Sequence, residues 1–168
     1  ATEDVTDGVN GQVVKVVYNG SVSGTVDHET IKAKGILTCA LLDALEHLGY
    51  RTELVVAFCT EVGRKTNTVE VMVKHASDWL DLDKIAFACA HPSSLRRLCF
   101  SIWEQMPSDI VKHYRIGNGY GHPAKVPELQ DGTVYIPELN SGQAKTPEAQ
   151  RQLIRETLAQ VGVTFDEE

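Results

Sequence analysis

The chain has 168 residues, 42% of them hydrophobic and 23% charged, with a formal net charge of −7 at pH 7. This length predicts one domain over residues 1–168, and since the first residue is Ala we expect it to be processed or excised from a longer protein. The acidic balance argues against general nucleic-acid binding, and no apolar run approaches the roughly 20 residues that would cross a membrane.

The first half of the sequence predicts a βαβ unit followed by an edge strand. Gln12–Tyr18 is β-branched and apolar nearly throughout, which is typical of a buried parallel strand. A helix capped by Asp27 follows, and its apolar residues recur at helical spacing as far as Gly49, a terminating position. Thr52–Phe58 predicts the next parallel strand, and the alternation in Val69–Val73 indicates an antiparallel edge strand.

The second half predicts further alternating elements. Lys84–Ala90 contains an apolar run that indicates another buried strand, after which His91–Ser94 begins a helix that ends at Pro107. Ser108–Gly132 lacks a clear period, and a stretch of this kind is usually functional or mobile. The remaining predicted elements are a strand at Thr133–Ile136, a helix from Thr146 to Gly162, and a last strand at Val163–Phe165.

This order of elements predicts a three-layer α/β/α, Rossmann-like, doubly wound, mostly parallel sheet with an antiparallel edge strand. Loops at the carboxyl ends of the parallel strands of such a sheet gather along one edge, here called the crest. The crest is polar, as a hydrolase or phosphate site would be, but any edge made of loops is polar. The candidate binding residues at the crest are Asn19, Ser21, Ser23, Thr60, Glu61, His91, Ser93, Ser94, Arg96, Arg97, Glu138 and Asn140.

One crest loop carries a motif with a more particular meaning. The spacing Asn19-x-Ser21-x-Ser23 resembles the Asp-x-Ser-x-Ser metal motif of von Willebrand factor A domains, and the predicted elements over residues 12–73 resemble that family's order. The resemblance implies the fold given above, with a divalent cation that recruits an acidic group of a partner. Asn19 lacks the carboxylate charge that Mg²⁺ favours, so we expect no metal or other cofactor. We expect these three side chains to cap the following helix and hold the turn.

A second resemblance concerns residues 83–97, which are similar to a group of uncharacterised proteins encoded by bacteriophages and actinobacteria. We therefore expect a non-enzymatic protein-binding or assembly module, phage- or prophage-encoded, whose crest meets a protein partner. The four cysteines show no CxxC pairing, which favours a reducing, cytoplasmic setting in a bacterial host cell.

Two other functions stay open at this point. A metal-dependent adhesion or ribonucleoprotein-binding domain of the A type would gain thermal stability from Mg²⁺ or Mn²⁺. A hydrolase would use His91 as the base for Ser21 or Ser94, with Glu61 orienting the imidazole, although the sequence has no Gly-x-Ser-x-Gly motif.

The loop Gly117–Pro123 is a further candidate contact surface. It carries Tyr120 and His122, and exposed aromatic residues on loops often serve recognition. The alternative is that Tyr120 packs the loop onto its own domain.

Overall fold

The computed structural model describes residues 11–117, 119–140 and 146–160. The first strand, the long helix and the next two strands follow one another as the sequence predicts, whereas several helices then succeed one another before the next strand. The strands are β1 (Val13–Asn19), β2 (Arg51–Val62), β3 (Lys65–Lys74), β4 (His122–Pro123) and β5 (Val134–Ile136).

The sheet has the order β3-β2-β1-β5, and β1 lies at its centre. β1 pairs in parallel with both β2 and β5. β2 extends beyond the last residue of β1, Asn19, and pairs antiparallel with β3 along its length and with β4 near its end. The predicted α/β class, with parallel central strands and an antiparallel edge strand, is confirmed.

Helix α1 (His28–His47) follows the predicted start and end signals. Asp27 Oδ1 accepts a hydrogen bond from the Thr30 amide at 2.7 Å, and Gly49 leaves the helix with a φ of 92°. Within the described ranges, no helix is long and apolar enough to cross a membrane. The helices are α1 (His28–His47), α2 (Leu82–Ala90), α3 (Phe100–Glu104), which continues from a π-helical segment at Ser94–Cys99, α4 (Ser108–His113) and α5 (Pro147–Gln160).

The prediction of a buried strand at Lys84–Ala90 is wrong, because this segment belongs to helix α2. Asp81 Oδ1 caps the helix by accepting a hydrogen bond from the amide three residues further on, at 3.0 Å. Ile85 and Cys89 are buried, whereas Phe87 between them is exposed. Residues four apart share a face of a helix, so the apolar run is one side of an amphipathic helix.

The two faces of the sheet are covered differently. Val16 and Tyr18 of β1 pack with residues of α1, α2 and the Ser94–Glu104 helical region in the larger core cluster. Val17 points to the opposite face, where residues 124–129, outside the helices, cover the sheet in the described structure. Among the described residues no helix joins the core cluster on this second face, so the predicted three-layer arrangement is not confirmed.

The stretch predicted to lack regular structure, residues 108–132, contains α4 and β4 joined by left-handed turns. Gly119, Tyr120 and Gly121 all have positive φ angles. A Cβ atom on Gly121 would collide with Thr60 of β2, so glycine allows this loop to approach the strand end closely. Residues 1–11 are polar and indicate a loose lead-in, which lies outside the described residues except for Gly11; the predicted strand at Val163–Phe165 lies outside them entirely.

Candidate functional site

A groove of about 400 Å³ opens at the crest, in front of the carboxyl ends of β1 and β2. Residues 21–24 form one wall, and residues 119–123 form another. The helical region that begins at Ser94 contributes the apolar wall, while Thr60 lies at the end of β2. The groove thus lies where the topology of an open α/β sheet predicts a ligand site.

Asn19 lies behind the groove and is fully buried. Its Nδ2 donates to the Ala124 carbonyl at 2.8 Å, to the Tyr135 hydroxyl at 3.0 Å and to Glu138 Oε2 at 3.3 Å. Its Oδ1 accepts a hydrogen bond from the Ser21 amide at 3.0 Å. Both ends of the amide group are therefore engaged within the fold, and the side chain joins β1 to the segments around β5.

The two serines of the motif hold neighbouring segments together. The buried Ser21 Oγ accepts a hydrogen bond from the Cys59 amide at 2.6 Å, which fixes the loop to β2. The Ser23 amide donates to the Leu139 carbonyl at 2.8 Å, and the Leu139 amide donates to the Ser21 carbonyl at 3.0 Å. The motif thus holds the turn, but the expected helix cap is made by Asp27 instead.

The carboxyl group of Glu138, at the crest, is also hydrogen-bonded within the fold. Glu138 Oε2 accepts a hydrogen bond from the Tyr135 hydroxyl at 2.9 Å, and burial is the main cause that raises the pKa of Tyr135. Asn140 follows Leu139, which pairs with Val22 in an isolated parallel bridge. Among the residues described, no three His, Cys, Asp or Glu side chains converge in a way that could hold a metal ion.

His91 and Ser94 do not line the groove. They border a smaller, adjoining pocket of about 20 Å³, which shares Val22, Leu95 and Arg96 with the lining of the groove. His91 Nδ1 accepts a hydrogen bond from the Ser93 amide at 3.2 Å, and the ring stacks on Phe87 with centroids 5.2 Å apart. Within the described ranges, no side-chain hydrogen bond joins His91 to either candidate nucleophile.

Some of the remaining candidate residues at the crest line the groove, and the others lie on the exposed surface outside it. Thr60 Oγ1 donates to the Tyr120 carbonyl and fastens the loop to the end of β2. Glu61 is exposed and pairs with His122 between β2 and β4. Arg97 is exposed and lies outside the groove lining. The structure therefore brings Ser21, Ser23, Thr60 and Arg96 together around the groove.

Comparison with known proteins assigns the family. The family model described as "Domain of unknown function (DUF7192)" matches residues 3–164, nearly the whole chain. The chain belongs to this family. No curated protein and no solved structure matches it.

This DUF7192 domain has a buried lysine next to the motif that sequence reasoning did not single out. Lys34 Nζ donates to the Asn19 carbonyl at 2.5 Å and lies 4.2 Å from the centroid of the Tyr18 ring. Burial lowers the pKa of Lys34 to about 7, against the opposing influence of Cys89 and Glu138. The lysine therefore links α1 to the last residue of β1.

One signal for this burial was present in the sequence. Lys34 lies three residues after Ile31 and seven before Leu41, on the predicted apolar stripe of α1. Lysine at such a position usually extends its amine to solvent. The sequence does not reveal that a backbone carbonyl accepts a hydrogen bond from this amine inside the fold.

An aromatic cluster forms the apolar wall of the groove in this DUF7192 domain. The rings of Phe100 and Tyr120 stack with centroids 3.8 Å apart, and Trp103 lies 5.7 Å from Phe100. The Tyr120 hydroxyl donates to Glu104 at 2.6 Å, an interaction that raises the pKa of Tyr120. Tyr120 therefore packs on its own domain and contributes to the groove wall at the same time.

Proposed function

We propose that this DUF7192 domain is a non-enzymatic protein-binding or assembly module that receives a segment of a protein partner in the crest groove. One observation supports this best. The polar groups of Asn19 and Ser21, which a metal ion or a nucleophilic reaction would require, are engaged within the fold, whereas the groove in front of them is open. Recognition would then depend on shape and on direct polar contacts.

The chemistry of the groove suits a peptide segment. Leu95, Phe100 and Trp103 give it an apolar wall, while Ser23 and Arg96 add polar groups at other points of its lining. Ligand sites typically combine mostly apolar walls with a few polar groups that fix orientation. Loops held by a rigid scaffold, as these are by β1 and β2, are common recognition surfaces.

The fold we propose is a reduced relative of the von Willebrand factor A type. The order of β1, α1, β2 and β3, with β3 antiparallel at the edge, supports this relationship. Residues 124–129 would stand where a second helical layer lies in a three-layer fold. The proposed phage or prophage origin, and with it a bacterial host cytoplasm, is supported by the resemblance of residues 83–97 alone.

The two alternative functions have less support from the site. A metal-dependent A-type domain needs oxygen ligands that are free to bind, and Asn19 uses its amide oxygen for the Ser21 amide. A hydrolase needs a base beside its nucleophile. His91 borders a different pocket from Ser21, and among the described residues its imidazole makes no side-chain hydrogen bond to Ser94.

The test fills the groove without disturbing the fold. A Cβ atom built at Gly24 meets no atom within 4 Å, so Gly24→Trp places an indole at the groove without strain. Gln130→Trp is the matched control, because Gln130 is exposed and lies in the segment before β5, outside the groove lining. Both variants are used with the parent domain as baits in a lysate of the cell that encodes it, and co-purifying proteins are quantified.

We expect a partner that is captured by the parent domain and by Gln130→Trp but lost with Gly24→Trp, and that binds again as a purified protein. Capture that survives in Gly24→Trp would contradict the proposal. Melting curves with and without millimolar Mg²⁺ or Mn²⁺ address the metal-dependent alternative, which predicts a rise in Tm.

A further inference from the structure

We infer that the groove selects an anionic peptide segment in which a carboxylate lies beside an apolar side chain. This inference rests on the proposed function and names the chemistry of the partner. Its first support is charge. The described chain lines the groove with one guanidinium, that of Arg96, and with the imidazole of His122, but with no carboxylate. A groove lining with a guanidinium and no carboxylate among its described residues stands out in a chain with a net charge of −7.

Arg96 is available to such a ligand. Its side chain is exposed, and within the described part of the chain it has neither an ion-pair partner nor a hydrogen-bond partner. It belongs to the π-helical segment Ser94–Cys99, a rare backbone form that is frequent at functional sites. A guanidinium pairs with a carboxylate through two parallel hydrogen bonds, which gives both affinity and orientation.

The second support is an unsatisfied donor in the groove wall. Trp103 is almost fully buried, and its Nε1 is a buried polar atom with no hydrogen-bond partner in the described structure. A buried donor without an acceptor carries an unfavourable free energy that a bound acceptor relieves. Trp103 lines the groove although Nε1 itself is covered, so we infer that a bound segment shifts this wall and offers a backbone carbonyl to the donor.

The apolar part of the ligand follows from the wall. Val22 and Phe100 are half-buried and face the groove together with the buried Leu95. An apolar side chain of the ligand would complete their burial. A nucleic-acid strand fits less well, because such a site needs several cations along a backbone and free ring faces for bases. Here one Arg is present, and the facing sides of Phe100 and Tyr120 are stacked on each other.

The experiment uses Trp103 as the reporter. The chain has two tryptophans, and Trp79 is 93% exposed, so Trp79→Phe leaves Trp103 as the one fluorescent indole without affecting the core. The probe is an acetylated and amidated hexapeptide of alternating Leu and Asp, and its isosteric control alternates Leu and Asn. Arg96→Gln is compared with Arg97→Gln, which removes an equal charge from the adjacent exposed residue outside the groove lining.

We expect the Leu–Asp peptide to change the Trp103 emission saturably and to bind about tenfold more tightly than the Leu–Asn peptide. Arg96→Gln should remove this difference, and Arg97→Gln should keep it. Equal binding of the two peptides, equal effects of the two Arg variants, or no emission change up to millimolar peptide would overturn the inference. Tighter binding of an oligothymidylate would overturn it in favour of a nucleic-acid ligand.

These outcomes separate the inference from the proposed function. If Gly24→Trp abolishes capture of the partner while Arg96→Gln does not, the groove binds a protein but the anionic recognition is refuted. If Gly24→Trp leaves capture intact, the proposed function itself is refuted.

Discussion

The side-chain nitrogen of Asn19 lies 3.3 Å from Oε2 of Glu138, so an amide donor faces a carboxylate at the position where the A-type motif has an aspartate. The same nitrogen also meets the Ala124 carbonyl and the Tyr135 hydroxyl. An acceptor-only side chain could make neither the contact to the Ala124 carbonyl nor the contact to the Glu138 carboxylate. The amide of Asn19 therefore joins β1 to the segments around β5 through contacts that an aspartate could not all make.

The first prediction concerns Asn19→Asp, which should lower the free energy of unfolding by about 3 kcal/mol at pH 7. The new carboxylate would be buried beside Glu138 and the Ala124 carbonyl, which raises its pKa in the folded state. A raised folded-state pKa means that the penalty is present at neutral pH and decreases as pH falls and the group binds a proton. Urea denaturation at pH 7 and pH 5 measures both effects.

A double variant provides the control for this prediction. Asn19→Asp combined with Glu138→Gln should recover part of the lost stability, since the new amide can donate to the new carboxylate. An Asn19→Asp protein that is as stable as the parent, with a Tm that rises with Mg²⁺, would instead support the metal-dependent A-type function.

The sequence was sufficient for the elements with strong periodicity and clear end signals. β1 and α1 are long enough for their periods to be unambiguous, and Asp27 and Gly49 mark the ends of α1 as predicted. The prediction of a strand at Lys84–Ala90 was wrong because six consecutive apolar residues fit a buried strand as well as a short helix. The cap at Asp81 was the signal that would have decided for the helix.

The sequence predicted where in the fold the site lies, but not the contacts that its side chains make. The topology put Ser21 and Thr60 at one edge, because carboxyl ends of parallel strands meet there, whereas Arg96 was placed there through a predicted strand that is in fact helix α2. The burial of Lys34 and the packing of the Tyr120 loop against β2 depend on contacts between residues far apart in the chain. Such contacts follow from tertiary packing and leave no local pattern in the sequence.

A second prediction concerns the buried ion pair between Lys74 and Glu46. Lys74 Nζ lies 2.7 Å from Glu46 Oε1 and donates to the Thr52 carbonyl at 2.8 Å, which joins β3, α1 and β2. Lys74→Ala leaves a shielded carboxylate without its partner and should cost about 3 kcal/mol of unfolding free energy. Urea denaturation at pH 7 measures the loss, and Lys65→Ala on the exposed end of β3 is the control.

The pH dependence distinguishes the ion pair from a packing effect. Burial alone would raise the pKa of Glu46, but hydrogen bonds from Lys74 and Thr52 outweigh it and lower the pKa. A lowered folded-state pKa gives stability above the ordinary value of 4.5, which is lost as pH falls through the folded-state pKa. Lys74→Ala should therefore differ less from the parent in acid than at pH 7, and an unchanged difference would contradict the assignment.

A third prediction concerns the crossing of α1 and α2 at Gly35. A Cβ atom there would lie 2.6 Å from the Cα atom of Ala90, closer than packed backbones allow. Gly35→Ala should therefore destabilise the domain by about 2 kcal/mol in spite of the better helix propensity of alanine. Gly24→Ala, in open space, should change stability by less than about 0.5 kcal/mol. Thermal denaturation compares the two, and a Gly35→Ala protein that melts at or above the parent Tm would refute this crossing.

The last prediction concerns the pH dependence that Lys34 gives to stability. The groups that face its amine are the Tyr18 ring, the Asn19 carbonyl and, at longer range, Cys89 and Glu138. The folded-state pKa of about 7 lies below the ordinary 10.5, so between these values the unfolded chain binds a proton that the folded chain does not. Stability should then rise with pH in this window, by about 1.4 kcal/mol per pH unit.

Lys34→Met should remove this slope, because the variant has no amine that loses a proton on folding in this window. Lys32→Met, on an exposed position of the same helix, should keep the slope. Urea denaturation between pH 7 and about pH 8.5 is the measurement, since buried thiols begin to lower stability above that range. Parallel pH profiles for the parent and Lys34→Met would mean that Lys34 reaches solvent and does not hold the end of β1.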